Sequence, residues 1–387
     1  MDIPVAKRLQ QTEEYYFSRK LREIDEMNRQ GAAVINLGIG SPDQSPHESV
    51  VAALHASALK AGSHGYQSYK GSPLLRKAFA GWYAKYYGVT LDPDKEILPL
   101  IGSKEGILHI CMTFLGEGDE ALVPNPGYPT YRSAVQLSGA ACIDYDLLEE
   151  HSWLPDLEAL EKRDLSKVKL MWVNYPHMPT GTRGDTAFFS KLIAFAGKHN
   201  ILLCHDNPYS FILNDMPQSL LAVDGAKEVT LELNSLSKSH NMAGWRLGML
   251  AGREEWINEV LRFKSNMDSG MFLPVQMAAV EALGLGEEWY SSLNAMYKIR
   301  RQKVFELLEL LECGFDVHQS GLFVWAKVPP RYADGYALSD EILYQAHVFI
   351  TPGGIFGTNG NGYIRVSLCR DETVLTEAFG RVKSLRS

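Results

Sequence analysis

The chain has 387 residues, 45% of them hydrophobic and 22% charged, with a formal net charge of −8. That length allows two domains with substantial cores, and the balance is ordinary for a soluble globular protein. The acidic surplus argues against nucleic acid or an anionic membrane as partner, and no apolar run approaches the roughly 20 residues that span a bilayer.

In chain order, Met1-Asp2-Ile3-Pro4 lacks a basic segment followed by an apolar core, so no secretory signal is expected. Residues 13–30 predict a charged amphipathic helix stopped by Gly31. Ser45-Pro46-His47-Glu48 carries helix-start signals: a serine cap, proline in the first turn and glutamate three after the cap. Ser72-Pro73 opens another helix in the same way. From about residue 96 short apolar runs (121–123, 170–173, 201–204, 229–233, 247–251) alternate with helical stretches such as 105–114 and 185–199. This pattern predicts an α/β fold with a mainly parallel sheet covered by helices on both faces, binding ligands at the carboxyl ends of its strands. Residues 276–311 predict helix leaving this domain, with a break at 284–287. Gly321-Leu322-Phe323-Val324-Trp325 and Tyr363-Ile364-Arg365-Val366-Ser367-Leu368 then read as strands of a smaller α+β domain, which the N-terminal segment completes. The expected division is 46–279 for the large domain, with 1–45 and 280–387 forming the small one. Five scattered cysteines (Cys111, Cys142, Cys204, Cys313, Cys369) form no C-x-x-C pair. They predict reduced thiols rather than disulfides or a metal site, and the cytoplasm fits all of this.

The chemistry-bearing residues cluster after the strands. Ser235-Leu236-Ser237-Lys238 follows the run 229–233, with Arg246 eight residues beyond the lysine. A lysine there suits a Schiff base with an aldehyde cofactor, while Ser235, Ser237 and Arg246 suit phosphate oxygens. Gly102-Ser103-Lys104-Glu105-Gly106 opens a helix, whose free N–H groups make an anion site. Asp206, at the end of run 201–204, could pair with a pyridinium nitrogen, and Tyr209 could donate to a ring oxygen. Tyr128, in the turn Pro124-Asn125-Pro126-Gly127-Tyr128-Pro129, could stack on a flat ring. Strand alternation puts Ile364, Val366 and Leu368 on one face, so Arg365 points away from the small domain's core and offers a planar fork to a carboxylate. Taken singly, each has a plain structural reading: a solvated lysine, a turn cap, a packed loop tyrosine, a surface arginine. Together they describe one site.

In the order and spacing of these motifs, from about Asn36 to Ser367, the chain resembles the class I/II aminotransferases of pyridoxal-phosphate fold type I. The resemblance implies pyridoxal 5'-phosphate on Lys238, with Asp206 as pyridinium partner and Tyr209 at the phenolate oxygen. It implies phosphate contacts from Ser103 and Lys104 (backbone amides), Ser235 and Arg246, with Tyr128 as stacking aromatic. Arg365 matches the arginine of the α-carboxylate, and Gly38, Ile39 and Gly40 match the stretch that closes over substrate. Tyr66 matches a tyrosine reaching the partner subunit's phosphate, which implies a homodimer with shared sites. One position departs. Where the family reads N-P-T-G, this chain reads Asn174-Tyr175-Pro176-His177-Met178-Pro179-Thr180-Gly181, and a thioether cannot donate to the phenolate oxygen. Asn174 or His177 compensates, or Tyr209 acts alone.

The resemblance implies transfer of an amino group from an L-amino acid to a 2-oxo acid in a ping-pong cycle. The alternatives on the same fold are a C–S lyase, a decarboxylase or a cyclopropane-forming synthase, since one stabilised carbanion can react several ways. A cofactor-binding regulatory module is the remaining alternative; no basic arm accompanies Lys238 and Asp206 to support it.

Overall fold

The computed structural model describes residues 3–10 and 14–386. Met1, Asp2 and Glu13, the expected start of the first long helix, lie outside the described residues. That helix spans Tyr16–Arg29. It is followed by the short strand β1 (Ile35–Asn36).

Seven strands then form the central sheet: β2 (Ile97–Leu100), β3 (Glu120–Asn125), β4 (Ala141–Asp146), β5 (Val168–Val173), β6 (Leu202–Asp206), β7 (Thr230–Ser235) and β8 (Gly248–Ala251). Their order is β2-β8-β7-β6-β5-β3-β4. The run from β7 to β4 is parallel, and β8 is antiparallel to both of its neighbours. Both faces are covered. Leu170 and Trp172 of β5 pack with Ile107 and Ile110 of helix Ser103–Phe114, whereas Met171 and Val173 pack with Phe188 and Leu192 of helix Thr186–His199. Burial on both faces is why the strands read as unbroken apolar runs. Two strands carry no such run. Edge strand β4 is largely exposed and bears Asp144 and Asp146, and β2 is four residues with Pro99 inside it.

Helix Pro73–Tyr87 starts as expected, Ser72 Oγ accepting the Leu74 N–H at 3.2 Å. The helix expected at Ser45 starts later, at Glu48. His47 has extended backbone (φ −55°, ψ 143°), and its ring nitrogen accepts the Ser49 N–H, so the imidazole takes the capping place assigned to the serine. The long C-terminal pattern divides into helices Leu273–Leu283 and Glu287–Leu310, with the break at the expected place.

Five short strands follow: β9 (Gly314–Phe315), β10 (Phe323–Lys327), β11 (Val348–Phe349), β12 (Thr351–Pro352) and β13 (Tyr363–Ser367). Four make an antiparallel sheet in the order β12-β13-β10-β9, while β1 pairs in parallel with β11. Ile364, Val366 and Leu368 join one apolar core with Val324, Leu338 and Ile342. The N-terminal helix docks there as well, Phe17 and Ile24 packing on Leu343 and Phe349. A bidentate pair from Arg300 to Asp43 (2.7 and 3.0 Å) ties helix Glu287–Leu310 to the segment after β1.

Candidate active site

The carboxyl ends of β5, β6 and β7 open on a cavity of ≈ 500 Å³. One wall is built for an anion. Helix Ser103–Phe114 begins after Gly102 (φ 84°), and its first-turn N–H groups have no acceptor within the helix. A Cβ on Gly102 would lie 2.3 Å from Arg246 Nη2, so glycine is what lets the guanidinium lie against the helix start. Ser235 Oγ accepts the Ser237 N–H at 3.1 Å and pairs with Ser237 Oγ at 2.9 Å, which brings both hydroxyls to the same wall. Ser103, Lys104, Ser235, Ser237 and Arg246 all line the cavity.

Next to this cup, Asp206 at the end of β6 accepts the Tyr131 hydroxyl at 3.0 Å through Oδ2. Its other oxygen, Oδ1, is buried and has no partner among the described residues. Burial pushes the Asp206 carboxyl up to about 6, against the Tyr131 bond and the charges of His205 and Lys238. A buried carboxylate with one unanswered oxygen in a cavity suits a cationic ring N–H. Lys238 reaches the Gly40 carbonyl, and loss of water contact lowers its pKa, which favours a nucleophilic amine. Tyr128 and Tyr209 also line the cavity, and desolvation raises both phenols, so they stay protonated donors.

The opposite wall comes from the small domain. Alternation does turn Arg365 away from Ile364 and Val366, but Arg365 is 4% exposed, not a surface arginine. Its guanidinium carbon lies 3.8, 4.7 and 5.6 Å from the ring centres of Phe323, Phe356 and Phe17. Nη2 donates to the Gly38 carbonyl at 2.7 Å, Nη1 meets Met178 Sδ at 3.1 Å, and Nε has no partner among the described residues. Desolvation brings its pKa down to about 10. A buried guanidinium with no carboxylate beside it among the described residues is a receptor for one. Gly38 and Gly40 are close approaches: a Cβ would fall 2.3 Å from Phe349 and 2.1 Å from Phe323, respectively. Ile39 and Gly40 line the cavity.

The family described as "Aminotransferase class I and II" matches residues 32–382. The chain belongs to this family. It is 41% identical over 387 residues to an LL-diaminopimelate aminotransferase of Dehalococcoides mccartyi, covering all of both chains. An LL-diaminopimelate aminotransferase of Halothermothrix orenii is 39% identical, with 98% of each chain covered. Among solved structures, substrate-bound BacF of Bacillus subtilis superposes with a TM-score of 0.95 at 38% identity, covering 100% of this chain and 98% of that one. An aspartate aminotransferase of Thermus thermophilus gives 0.91 at 26% identity, covering 99% and 100%. The chain is thus a pyridoxal-phosphate-dependent aminotransferase with the type I fold. Its residues fit that cofactor: an anion cup without a carboxylate, an orphaned Asp206 oxygen, a desolvated lysine and flanking aromatic rings.

Three features of this aminotransferase qualify the sequence reading. Asn174 lines the cavity but spends its amide on the loop, donating to the Asp206 carbonyl at 2.6 Å and accepting the Met178 N–H at 2.7 Å. His177 pairs with Thr180 Oγ1 at 2.8 Å and does not line the cavity. The Asn174 amide is thus engaged, whereas His177 Nε2 has no partner among the described residues but lies outside the cavity that Tyr209 lines. Secondly, Tyr15, Phe17, Ser18 and Leu21 roof the cavity, with Lys104 Nζ 4.6 Å from the Tyr15 ring centre. Sequence patterning saw only an amphipathic helix there, because nothing local marks a lid. Tyr66 lies outside the cavity and is 94% exposed. Away from the cavity, Glu105, His109 and Asp268 come together, and the buried Lys264 ammonium, 2.7 Å from Asp268, already supplies a cation.

Proposed function

We propose that this aminotransferase moves the amino group of LL-diaminopimelate, or of a closely similar amino acid, to a 2-oxo acid in a ping-pong cycle. The observation that carries the reading is the relative at 41% identity over the full length of both chains. A further cation supports it. Lys104, beyond the three basic residues assigned below, lines the cavity with no ion pair among the described residues, and could meet a distal carboxylate.

When bound, pyridoxal phosphate supplies an aldehyde for the amino group and a ring that takes up the electron pair released from the α-carbon. The Lys238 amine would hold the cofactor's aldehyde and serve as general base and acid for the α-proton. Asp206 would pair with the ring nitrogen and Tyr209 would donate to the ring oxygen. The amides of Ser103 and Lys104, with Ser235, Ser237 and Arg246, would hold the phosphate, and Tyr128 would stack. Arg365 takes the α-carboxylate in exchange for contacts that are all uncharged, and residues 38–40 close over it. The large domain is 46–279, and 1–45 with 280–387 make the small one.

Exposed Tyr66, Tyr69 and Phe272 support a homodimer in which Tyr66 reaches the partner's phosphate. An active monomer in sedimentation would overturn that part. Five free cysteines fit a cytoplasmic location; no helix among the described residues is long and apolar enough to cross a membrane. The test is an assay of the purified protein with LL-diaminopimelate and a panel of other amino acids, each with 2-oxoglutarate. LL-diaminopimelate should give the highest kcat/KM. A monocarboxylic donor ahead by tenfold would reject the substrate, and ammonia release without an oxo acid would favour a lyase.

A further inference from the structure

Met178 stands where the chain departs from its family's N-P-T-G, and that scheme gives it no task. Its backbone is fixed by the Asn174 side chain, whose Oδ1 accepts the Met178 N–H at 2.7 Å. Its side chain is 5% exposed, packs with the small-domain core and lines the cavity. Arg365 Nη1 donates to its Sδ at 3.1 Å, so the thioether sits on one arm of the fork that a carboxylate takes. Among the described residues that line the cavity, no other carries sulfur. Cys369 lies outside it, and burial raises its thiol, which keeps it protonated and a poor nucleophile.

A thioether needs no deprotonation to react with a peroxide, whereas a thiol does. We propose that Met178 is a modification site, at which a hydroperoxide converts the thioether to a sulfoxide that occupies Arg365 in place of substrate. A sulfur lone pair forms the new S–O bond while the peroxide O–O bond breaks. The departing oxygen takes the attacked oxygen's proton, leaving as water when the oxidant is hydrogen peroxide. Sulfur gives up two electrons, and the peroxide gains them. The added oxygen carries partial negative charge and accepts hydrogen bonds, which a thioether does only weakly. Three rotatable bonds let the side chain keep that oxygen on Nη1. The guanidinium then has one arm fewer for an incoming carboxylate, and the oxygen repels it.

This rests on the reading that Arg365 receives the α-carboxylate. The cavity of ≈ 500 Å³ gives a small peroxide its path to Sδ while the substrate's place is empty. Oxidation therefore falls on substrate affinity and leaves Lys238, Asp206 and the phosphate cup unaltered. A bound 2-oxo acid shields Met178, because its carboxylate takes the same fork.

The experiment treats the holoenzyme with hydrogen peroxide, maps oxidised peptides by mass, and follows KM and kcat for its best amino donor. One oxygen on the Met178 peptide should accompany a rise in KM of about tenfold, or ~1.4 kcal/mol, with kcat and the resting absorbance unchanged. Met216, 70% exposed and outside the cavity, reports that the peroxide dose is effective. Met178→Leu nearly keeps the volume but has no sulfur, so its KM should not respond to peroxide. 2-Oxoglutarate should slow oxidation of Met178 and not that of Met216. Four results would each overturn the proposal: Met216 oxidised with Met178 intact, oxidised Met178 with an unmoved KM, equal sensitivity in Met178→Leu, or no protection by 2-oxoglutarate. If Met178→Leu does not fold, the protection measurement decides. Unaltered amino-acid affinity in untreated Arg365→Lys would instead reject the underlying reading of Arg365.

Discussion

The two walls of the cavity are built differently. The strand-end wall is assembled from short local pieces: Gly102 to Lys104 at one helix start, and Ser235 to Arg246 in the connection between β7 and β8, braced by hydroxyl and backbone bonds. The small-domain wall is assembled at long range, with Phe17, Gly38, Met178, Phe323 and Phe356 converging on Arg365. The first wall gets its geometry from backbone conformation, and the second from packing between distant segments. Its central guanidinium is held by ring faces, one carbonyl and a thioether, none of them an anion. Such a cation is ready to exchange those contacts for a carboxylate.

The largest test breaks the first wall. Lys238→Ala should lower transamination by about 10⁴-fold or more, because a covalent attachment and a general base are lost together. Borohydride reduction of the unmodified protein should leave the pyridoxyl group on the Lys238 peptide, and label on another lysine would defeat the assignment. A second substitution separates the walls. Arg365→Lys should weaken amino-acid binding by about 30-fold, near ~2 kcal/mol, while the absorbance of the resting cofactor stays unchanged, since the lysine keeps charge but loses the fork. Unaltered affinity in a substrate titration would reduce Arg365 to a packing role. The smallest test lies where the walls meet. Met178→Asn restores a donor near the ring oxygen, and a donor to an anionic oxygen favours the deprotonated form. The pH midpoint of the visible band should therefore fall by about one unit, or ~1.4 kcal/mol. A constant or raised midpoint would mean that another group already fills that place.

Legibility follows the same division. Alternating apolar runs announced the parallel sheet because both of its faces are covered, and the break between Leu283 and Glu287 was readable from a lapse in the helical pattern. Edge strand β4 escaped notice because it is exposed and charged. Asn174 stood as one of three alternatives for the missing donor, yet its amide is consumed between Asp206 and Met178, and no one-dimensional pattern records that. The Ser45 cap failed for a similar reason: the helix starts at Glu48, and His47, a side chain not usually counted as a cap, accepts the Ser49 N–H in its place.

By itself the sequence determined the alternation of the buried parallel strands with helices, the residue types that stand at the strand ends, and the departure at Met178. These depend on residue type and short-range spacing, which a linear chain displays. Tertiary structure alone decided that Arg365 is buried under three phenylalanines, that the N-terminal helix roofs the cavity, and that Met178 meets Arg365. Each of these joins residues far apart in the chain, and desolvation and pairing depend on which distant segments pack together.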